Sequence, residues 1–285
     1  MNIIISHDVD HLYTCEHWRK DLIMEKHLVR SGLQVLRGDI NTRVFLYRVA
    51  SVFQHRYCRI PEIMEFDAKH QIPSTFFFGM GNTLGMSYTQ EQALPWIQKV
   101  REAGFYAGVH AADITSAESI QKEHNDFKRI CPNYTFGTRV HYVRYDDITL
   151  QRLATAGYLY DTTEFSKETF SLKQPYQIIA SNGNRMWEFP LHLMDSYVLE
   201  KDVKNAIQKV SSLLRQAEQS GSLFFTFLFH DVYFNEKTYP EWIAFYKWFV
   251  SACEEAGHHF ISYHQAIKML EDAQRAAERI HQQSI

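Results

Sequence analysis

The stretch NIIISHDVDH at residues 2–11 decides the fold that the rest of the sequence completes. Its apolar, β-branched start predicts a buried strand from Asn2 to His7. Asp8 and Asp10 follow directly. Two carboxylates two residues apart can have different roles in one reaction: one binds a metal while the other remains free to accept a proton. The alternative interpretation is that polar residues after a strand cap the next helix.

Similar apolar runs recur along the chain and alternate with stretches whose apolar residues have helical spacing. This alternation predicts βα units around a largely parallel sheet. The predicted strands are Asn2 to His7, Ser74 to Gly79, Phe105 to His110, Phe136 to Val140, Met186 to Pro190, Leu223 to Phe229 and His259 to Tyr263. The predicted helices are Thr89 to Ala103, Ser116 to Ile130, Ile148 to Ala156, Asp202 to Gln219, Pro240 to Ala256 and a last one from Ile267 to Ile285.

Ionisable residues stand at the carboxyl ends of four predicted strands. They are Asp8 and Asp10 after the first strand, His110 at the end of the third, Arg139 and His141 at the end of the fourth, and His230 with Asp231 at the end of the sixth. The carboxyl ends of parallel strands meet at one rim of an α/β sheet, where ligands and catalytic groups gather. The sequence therefore predicts one site built from four strands.

Two of these histidines have a chemical interpretation of their own. Imidazole is a common ligand of zinc and similar ions, so His110 is a candidate metal ligand. Considered alone, a histidine in this position is more often a hydrogen-bonded residue of the core. His230 ends a very apolar strand beside a carboxylate, and burial together with that charge can set its pKa for a general acid.

Residues 13–59 interrupt the alternation of strands and helices. This segment holds nine Lys/Arg against four Asp/Glu, with Trp18, Phe45, Tyr47 and Phe53 interleaved, and it predicts two amphipathic helices around Gly32 and Gly38. One interpretation is an inserted helical hairpin that packs over the edge of the barrel. The other is a basic, aromatic flap that contacts an anionic lipid-linked substrate or a membrane face.

Length and composition limit the classes of protein that fit. At 285 residues with 45% hydrophobic content, the chain suits one α/β barrel or two small domains, and we favour a single domain over residues 1–285. A net charge of −3 with mixed signs argues against a nucleic-acid partner. Four cysteines without CxxC spacing, and no signal-like or bilayer-length apolar stretch, predict a cytoplasmic protein.

Together and in this order, these residues resemble the polysaccharide deacetylase superfamily, which includes chitooligosaccharide and peptidoglycan N-acetylglucosamine deacetylases. The similar motifs are Asp8-Val9-Asp10, Ser74-Thr75-Phe76-Phe77-Phe78, Gly108-Val109-His110, Gly137-Thr138-Arg139-Val140-His141-Tyr142, Tyr160-Asp161, Glu188-Phe189-Pro190 with Met194-Asp195, and Leu228-Phe229-His230. They cover nearly all of the chain apart from residues 13–59. The resemblance implies a distorted, incomplete (β/α)7-type barrel with an inserted helical hairpin.

The resemblance also implies an activity, metal-dependent carbohydrate N-deacetylation, and a role for each matching residue. Asp8 is implied as general base, Asp10 and His110 as metal ligands, His230 as general acid, Arg139 as the residue that orients the base, and Tyr142 as a backbone donor to the oxyanion. The expected cofactor is one divalent metal, with Zn²⁺ favoured. Such a metal polarises the acetyl carbonyl and its bound water.

Two departures from the family pattern concern the metal. Ile114 stands where the second histidine of the metal motif is expected, and it cannot coordinate an ion. His141 replaces the proline of the Arg-x-Pro-Tyr motif and is the favoured third ligand. The other candidates for the third ligand are Asp113 and either His7 or His11. A different explanation is that metal binding is lost and the protein only binds a carbohydrate.

The expected substrate is an N-acetylated saccharide of surface-polysaccharide or cell-wall metabolism, carried on a nucleotide or a lipid. Trp187, Tyr142 and Phe234 are candidates for stacking on it, and they are equally compatible with a place in the core. Peripheral membrane contact is expected, if anywhere, through residues 13–59. Hydrolysis of a non-sugar amide, such as a cyclic ureide, is a further alternative.

Overall fold

The computed structural model describes residues 1–18, 21–166, 171–199 and 202–283. Ten strands in this part of the chain form one sheet. The strands are β1 (Asn2–Val9), β2 (Thr75–Gly79), β3 (Tyr106–Ala111), β4 (Thr138–Val140), β5 (Tyr160–Asp161), β6 (Tyr176–Ile179), β7 (Arg185–Glu188), β8 (Leu193–Met194), β9 (Phe224–Leu228) and β10 (His259–Phe260).

The sheet curls into a barrel that does not close. Its strand order is β6-β7-β5-β4-β3-β2-β1-β9-β8, and β10 pairs with the start of β1. The ladders are parallel except for the antiparallel pair of β6 and β7. Within the described residues no ladder joins β8 to β6. The predicted incomplete α/β barrel is therefore confirmed.

Helices connect the strands and cover the outside of the sheet. They are α1 (Ile23–Arg37), α2 (Thr42–Ser51), α3 (Ile60–Lys69), α4 (Gln90–Glu102), α5 (Ala117–Ile130), α6 (Asp147–Ala156), α7 (Asp195–Val198), α8 (Val203–Gln219), α9 (Pro240–Glu255) and α10 (Tyr263–Gln283). Helices α1 and α2 lie in the residue 13–59 segment, called the insertion below. None of the described helices is long and apolar enough to cross a bilayer.

Side-chain alternation along the strands decides which residues enter the barrel. In β1, Ile3 and Ile5 join the main core between sheet and helices, whereas Ile4 packs in a second cluster with Phe77. This second cluster combines side chains from β1, β2, β5, β7 and β9 with Tyr263, Ala266 and Ile267 of α10, and it fills the inside of the barrel. Asp8 lies four residues after Ile4, so its side chain is on the same face of the strand and also points into the barrel.

Candidate active site

Three side chains at the carboxyl ends of β1, β3 and β4 converge on one point. Asp10, His110 and His141 each offer a ligand atom, and these atoms lie within 4.8 Å of one another. Oδ1 of Asp10 lies 3.2 Å from Nε2 of His110 and 3.4 Å from Nδ1 of His141. The two imidazole nitrogens are 3.0 Å apart. We call this group the metal cluster, because it is compact enough for one ion to contact all three residues.

Backbone carbonyls fix which nitrogen of each imidazole faces the metal cluster. Nδ1 of His110 lies 2.9 Å from the carbonyl oxygen of Arg139, and Nε2 of His141 lies 3.1 Å from that of Leu84. A ring nitrogen that donates to a carbonyl carries the proton, so the opposite nitrogen of each neutral ring presents a lone pair. These lone pairs face each other and a carboxylate. Because the three acceptors repel one another, the arrangement is stable only when a proton or a cation lies among them.

The donor set of the metal cluster fits a divalent metal. Oδ1 of Asp10 is buried, and no described N–H or O–H group satisfies it while both rings are neutral. Burial favours the neutral form of Asp10, but His110 and His141 outweigh that effect and hold its pKa well below the ordinary value. Two imidazole nitrogens and one carboxylate oxygen are typical ligands of a catalytic zinc ion, which keeps a further position open.

Arg139 holds Asp8 beside the metal cluster. The Arg139 side chain is fully buried and lies over the Phe77 ring. Its Nη1 donates to Oδ1 of Asp8 at 2.8 Å. Its Nη2 donates to Oγ of Ser6 at 2.8 Å, and its Nε donates to the carbonyl of Thr162 at 3.0 Å. The guanidinium is thus anchored at three points and presents a fixed positive charge to one oxygen of Asp8.

The second oxygen of Asp8 faces the metal cluster. Oδ2 lies 3.7 Å from Nε2 of His110. Burial favours the neutral carboxyl, but the positive charge of Arg139 is the largest of the effects that oppose burial and keep the pKa of Asp8 below its ordinary value. An ionised carboxylate with one oxygen held and the other facing the cluster has the properties of a general base.

His230, at the end of β9, also faces the metal cluster. Its Nε2 lies 3.8 Å from Oδ2 of Asp10. Its Nδ1 lies 2.8 Å from Oδ1 of Asp195, and its backbone N–H donates to Oδ2 of the same carboxylate at 2.7 Å. Burial lowers the pKa of His230, but Asp195 and then Asp10 outweigh it and raise the pKa to about 10. His230 is therefore an imidazolium at neutral pH and can donate a proton.

The chain reverses sharply after β4. Tyr142 and Val143 have φ of 61° and 47°, values that side chains with a Cβ rarely adopt. The reversal places the imidazole of His141 against His110, and it leaves the Tyr142 side chain half exposed at the mouth. Backbone strain of this kind concentrates at functional sites.

A tight turn between β2 and α4 supports His141 from outside. Thr83 and Met86 exchange backbone hydrogen bonds across this turn, so Leu84 and Gly85 form its tip. The carbonyl of Leu84 accepts hydrogen bonds from Nε2 of His141 and from the Tyr142 hydroxyl at 3.0 Å. Sequence reasoning did not identify this turn, because nothing in the sequence shows that it reaches β4.

Solved structures of other proteins share this fold over nearly the whole chain. A protein assigned as a polysaccharide deacetylase from Mycobacterium smegmatis matches with a TM-score of 0.62 at 15% identity, covering 96% of this chain and 91% of that chain. The fold is that of the polysaccharide deacetylases. The Puue allantoinase (TM-score 0.61, 11% identity) and a protein assigned as a polysaccharide deacetylase from Pseudomonas aeruginosa PAO1 (0.59, 10%) each cover 93% of this chain and 88% of their own. No protein-family model and no curated protein matches the sequence.

The other candidates for the third ligand lie elsewhere in this deacetylase fold. His7 is adjacent to Asp8 in β1, so its side chain is on the opposite face of the strand and points out of the barrel. There its Nε2 lies 3.0 Å from Asp67. His11 packs edge-on against the ring of His17, with 4.4 Å between centroids. Oδ1 of Asp113 accepts hydrogen bonds from the turn that follows it. The geometry therefore favours His141 among the alternatives.

Two of the three aromatic residues expected to stack on a saccharide lie in the core. Trp187 is 5% exposed and belongs to the cluster inside the barrel, and Phe234 is 6% exposed and packs between Phe66 and Tyr246. This placement corrects the stacking expectation for both, because neither offers a free ring face at the mouth. Tyr142 alone of the three is exposed there.

Besides the Leu84 turn, two features near the site were given no role at the sequence level, although their residues lie in the quoted motifs. Asp195 was noted as part of a motif but given no role, since the two-residue strand before it has no periodic signal. The second feature is a buried carboxyl pair, Asp161 and Glu188, at the ends of β5 and β7. Burial and the neighbouring Asp161 raise the pKa of Glu188 well above its ordinary value, so the pair retains a proton.

Proposed function

We propose that this protein is a metal-dependent hydrolase that removes an N-acetyl group from a saccharide. The observation that carries the proposal is the metal cluster of Asp10, His110 and His141, with its ligand atoms within 4.8 Å of one another. An ionised carboxylate, Asp8, and an imidazolium, His230, both face that cluster. A basic and an acidic group beside a metal together suit the metal-assisted hydrolysis of an amide.

Each residue has a defined task in this proposal. When bound, a divalent metal, which we propose to be Zn²⁺, polarises the acetyl carbonyl and lowers the pKa of water. Asp8 accepts the proton of the attacking water, and Arg139 keeps Asp8 ionised and oriented. His230 gives its Nε2 proton to the departing amine, while Asp195 holds Nδ1. The amine leaves as a neutral group because the proton arrives as the C–N bond breaks.

The strained turn after β4 supplies the remaining element of the proposal. A backbone N–H at Tyr142 is the proposed donor to the oxygen of the tetrahedral intermediate, since preorganised backbone donors stabilise such oxyanions. The left-handed φ of Tyr142 persists only because the surrounding structure fixes it. We propose an N-acetylated saccharide carried on a nucleotide or a lipid as the substrate, made in the cytoplasm.

Similarity to an allantoinase favours a second candidate, the hydrolysis of a non-sugar amide. The Puue allantoinase matches this chain with a TM-score of 0.61, against 0.62 for the Mycobacterium smegmatis protein. Cyclic ureides and N-acetylated sugars both present an amide carbonyl to the same metal, base and acid. A panel containing both classes separates the two, because only one should show metal-dependent turnover.

Metal content and acetate release test the proposal directly. Purified protein loaded with Zn²⁺ is expected to retain about one equivalent after dialysis, as catalytic zinc sites do. Asp10→Asn should lose the metal and all acetate release from N-acetylated oligosaccharides. The matched control is Asp113→Asn, an exposed aspartate three residues beyond His110 that the metal cluster does not use. Folded wild type that binds no metal, or an Asp10→Asn variant that still releases acetate, would refute the proposal.

A further inference from the structure

The insertion exposes apolar side chains on the outer face of α1. Val29, Leu33 and Leu36 are 65%, 46% and 83% exposed, and they share one face because they are spaced three, four and seven residues apart. On the opposite face, Met24 and Ser31 are buried against the body. Leu28 and Val35 lie on that face too and are half-buried, so α1 carries apolar side chains on both faces, whereas an ordinary surface helix has one apolar stripe, which faces the core.

The clustering of exposed apolar residues is specific to the insertion. Among the described residues, fourteen large hydrophobic side chains are exposed, and six of them lie between residues 22 and 53. Leu46 and Phe53 extend the exposed set to α2 and its end, and Trp18 lies 6.4 Å from the Phe53 ring. Single exposed leucines are normal on a soluble protein, but a contiguous set marks an interaction surface.

Basic side chains flank the same face of α1. Lys26, Arg30 and Arg37 are exposed and are spaced four and seven residues apart. They lie along one side of the row formed by Val29, Leu33 and Leu36, called the apolar ridge below. The insertion carries nine Lys/Arg against four Asp/Glu, a formal charge of +5. Since the whole chain has a net charge of −3, the rest of it carries −8. Positive charge is thus concentrated where the apolar side chains are exposed.

We propose that α1 docks the protein on an anionic lipid bilayer. A bilayer interface accepts both features of this face, because leucine side chains enter the acyl boundary while Lys and Arg bind anionic headgroups. A second copy of the chain fits less well, since an isologous contact would bring the same positively charged segment against itself. Nucleic acid would pair with the charges but leave the apolar ridge in water.

The insertion is tied to the rim that holds the candidate site. It starts directly after Asp10, and at its end the backbone N–H of Arg59 donates to Oδ2 of Asp231 at 2.6 Å, next to His230. Near its start, Oδ2 of Asp21 accepts a hydrogen bond from Ser87, in the turn region that supports His141. Docking through α1 therefore tethers the rim of the barrel to the bilayer through the insertion. If the proposed hydrolase activity is correct, this favours the lipid-linked form of the saccharide.

Vesicle co-sedimentation of the full chain tests the docking. The protein should pellet with phosphatidylcholine vesicles that contain phosphatidylglycerol, should not pellet with phosphatidylcholine alone, and should be released by high salt because headgroup attraction is screened. The double variant Leu33→Gln/Leu36→Gln should bind at least about tenfold more weakly, since two apolar side chains no longer enter the interface. The matched control is Ile148→Gln, at a 61% exposed position on α6.

A second pair of variants tests the charges. Arg30→Gln/Arg37→Gln should lower binding to the anionic vesicles and reduce its salt dependence, whereas Lys268→Gln/Arg279→Gln on α10 should leave both unchanged. Absence of binding at low salt, or equal losses in variant and control, would overturn the proposal. So would a wild-type dimer in light scattering that Leu33→Gln/Leu36→Gln converts to a monomer, because a second copy would then cover the ridge.

Vesicle binding is measured without substrate, so docking and hydrolysis can fail separately. Wild type that binds anionic vesicles but releases no acetate would retain the docking and refute the proposed activity. Leu33→Gln/Leu36→Gln is expected to keep its zinc content and its turnover of soluble oligosaccharides, because α1 contributes nothing to the metal cluster.

Discussion

Asp195 is the neighbour with the largest effect on the protonation state of His230. Its imidazole is partly buried, which alone would favour the neutral ring, yet the Asp195 carboxylate 2.8 Å from Nδ1, together with Asp10, outweighs burial and raises the pKa to about 10. Asp195 itself is fully buried and also accepts a hydrogen bond from the backbone N–H of His230. The carboxylate therefore both aims the ring and keeps it charged.

Replacement of Asp195 should convert His230 into a weaker acid. In Asp195→Asn the attraction that stabilises the imidazolium is lost, so the pKa of His230 falls. A general acid works below its pKa, and the alkaline limb of the activity profile should therefore move to lower pH. At pH 8 we expect turnover to fall about 100-fold, the size of a lost acid-base contribution. Acetate release measured from pH 6 to pH 10 provides this profile.

Two readouts separate this role from simple misfolding. Asp195→Asn should retain its zinc equivalent, because Asp10, His110 and His141 are unchanged. Asp147→Asn, an exposed aspartate in the first turn of α6, serves as the control and should behave as wild type. An unshifted alkaline limb in Asp195→Asn would contradict the assignment of His230 as the acid.

At the scale of elements, the position of His141, the proposed third metal ligand, depends on contacts among three segments. Strand β4 carries His141 beyond its end, the reversal at Tyr142 and Val143 turns it toward β3, and the Leu84 turn holds its outer nitrogen. Metal-ligating histidines are commonly oriented in this way by a hydrogen bond at the second ring nitrogen. The tip of the turn must therefore stay close to β4.

Gly85 is the residue that allows this approach. Its φ is +87°, and a Cβ at this position would lie 2.9 Å from the hydroxyl oxygen of Tyr142. Gly85→Ala should push the Leu84 carbonyl away from His141 and weaken zinc affinity by about tenfold, as loss of a ligand's supporting hydrogen bond typically does. Competition with a chromophoric chelator measures this affinity without reference to activity.

Gly183→Ala is a matched control for backbone strain. Gly183 has nearly the same φ, +86°, in the turn between β6 and β7, and a Cβ there would meet nothing within 4 Å. Both substitutions carry the same conformational penalty, but only Gly85→Ala alters the support of His141. Equal zinc affinity in the two variants would show that the Leu84 turn does not position the ligand.

At the scale of the whole molecule, a buried carboxyl links stability to pH. Glu123 on α5 accepts hydrogen bonds from the backbone N–H groups of Ala112 and Asp113, directly after β3. Burial raises its pKa from 4.5 to about 7 against the opposing effect of these bonds. The folded state therefore favours the neutral acid. Its contribution to stability is complete below pH 4.5 and is lost as pH rises through 7.

Glu123→Gln should remove this pH dependence, because glutamine stays neutral and still offers an acceptor oxygen. Relative to wild type, the free energy of unfolding of the variant should increase by about 2 kcal/mol between pH 5 and pH 8, as one pKa unit corresponds to about 1.4 kcal/mol. Urea denaturation at both pH values measures the difference. Glu118→Gln, at an exposed position on the same helix, should show no such trend. If the difference in free energy of unfolding between Glu123→Gln and wild type does not change with pH, the prediction is wrong.

Much of the fold follows from local sequence signals. All seven predicted strands and five of the six helices predicted outside residues 13–59 are present, with ends within three residues of those expected. The sixth helix starts at Tyr263, four residues before the predicted start, and the last two residues predicted for it lie outside the described part of the chain. Long apolar runs and periodic helices are strong signals because the same pattern repeats over many residues. Strands β5 and β8, with two residues each, and the four-residue β6 were missed, since so few residues carry no periodicity.

Within the candidate site, the sequence alone was enough to place Asp8, Asp10, His110 and His230 at one rim, because parallel strands point their carboxyl ends the same way. Only the tertiary structure shows which candidate for the third ligand lies beside Asp10 and His110. His141 reaches His110 through the register of β3 on β4 and through two left-handed residues, neither of which local sequence encodes. The same holds for Trp187 and Phe234, since only packing against distant residues determines whether an aromatic ring is covered.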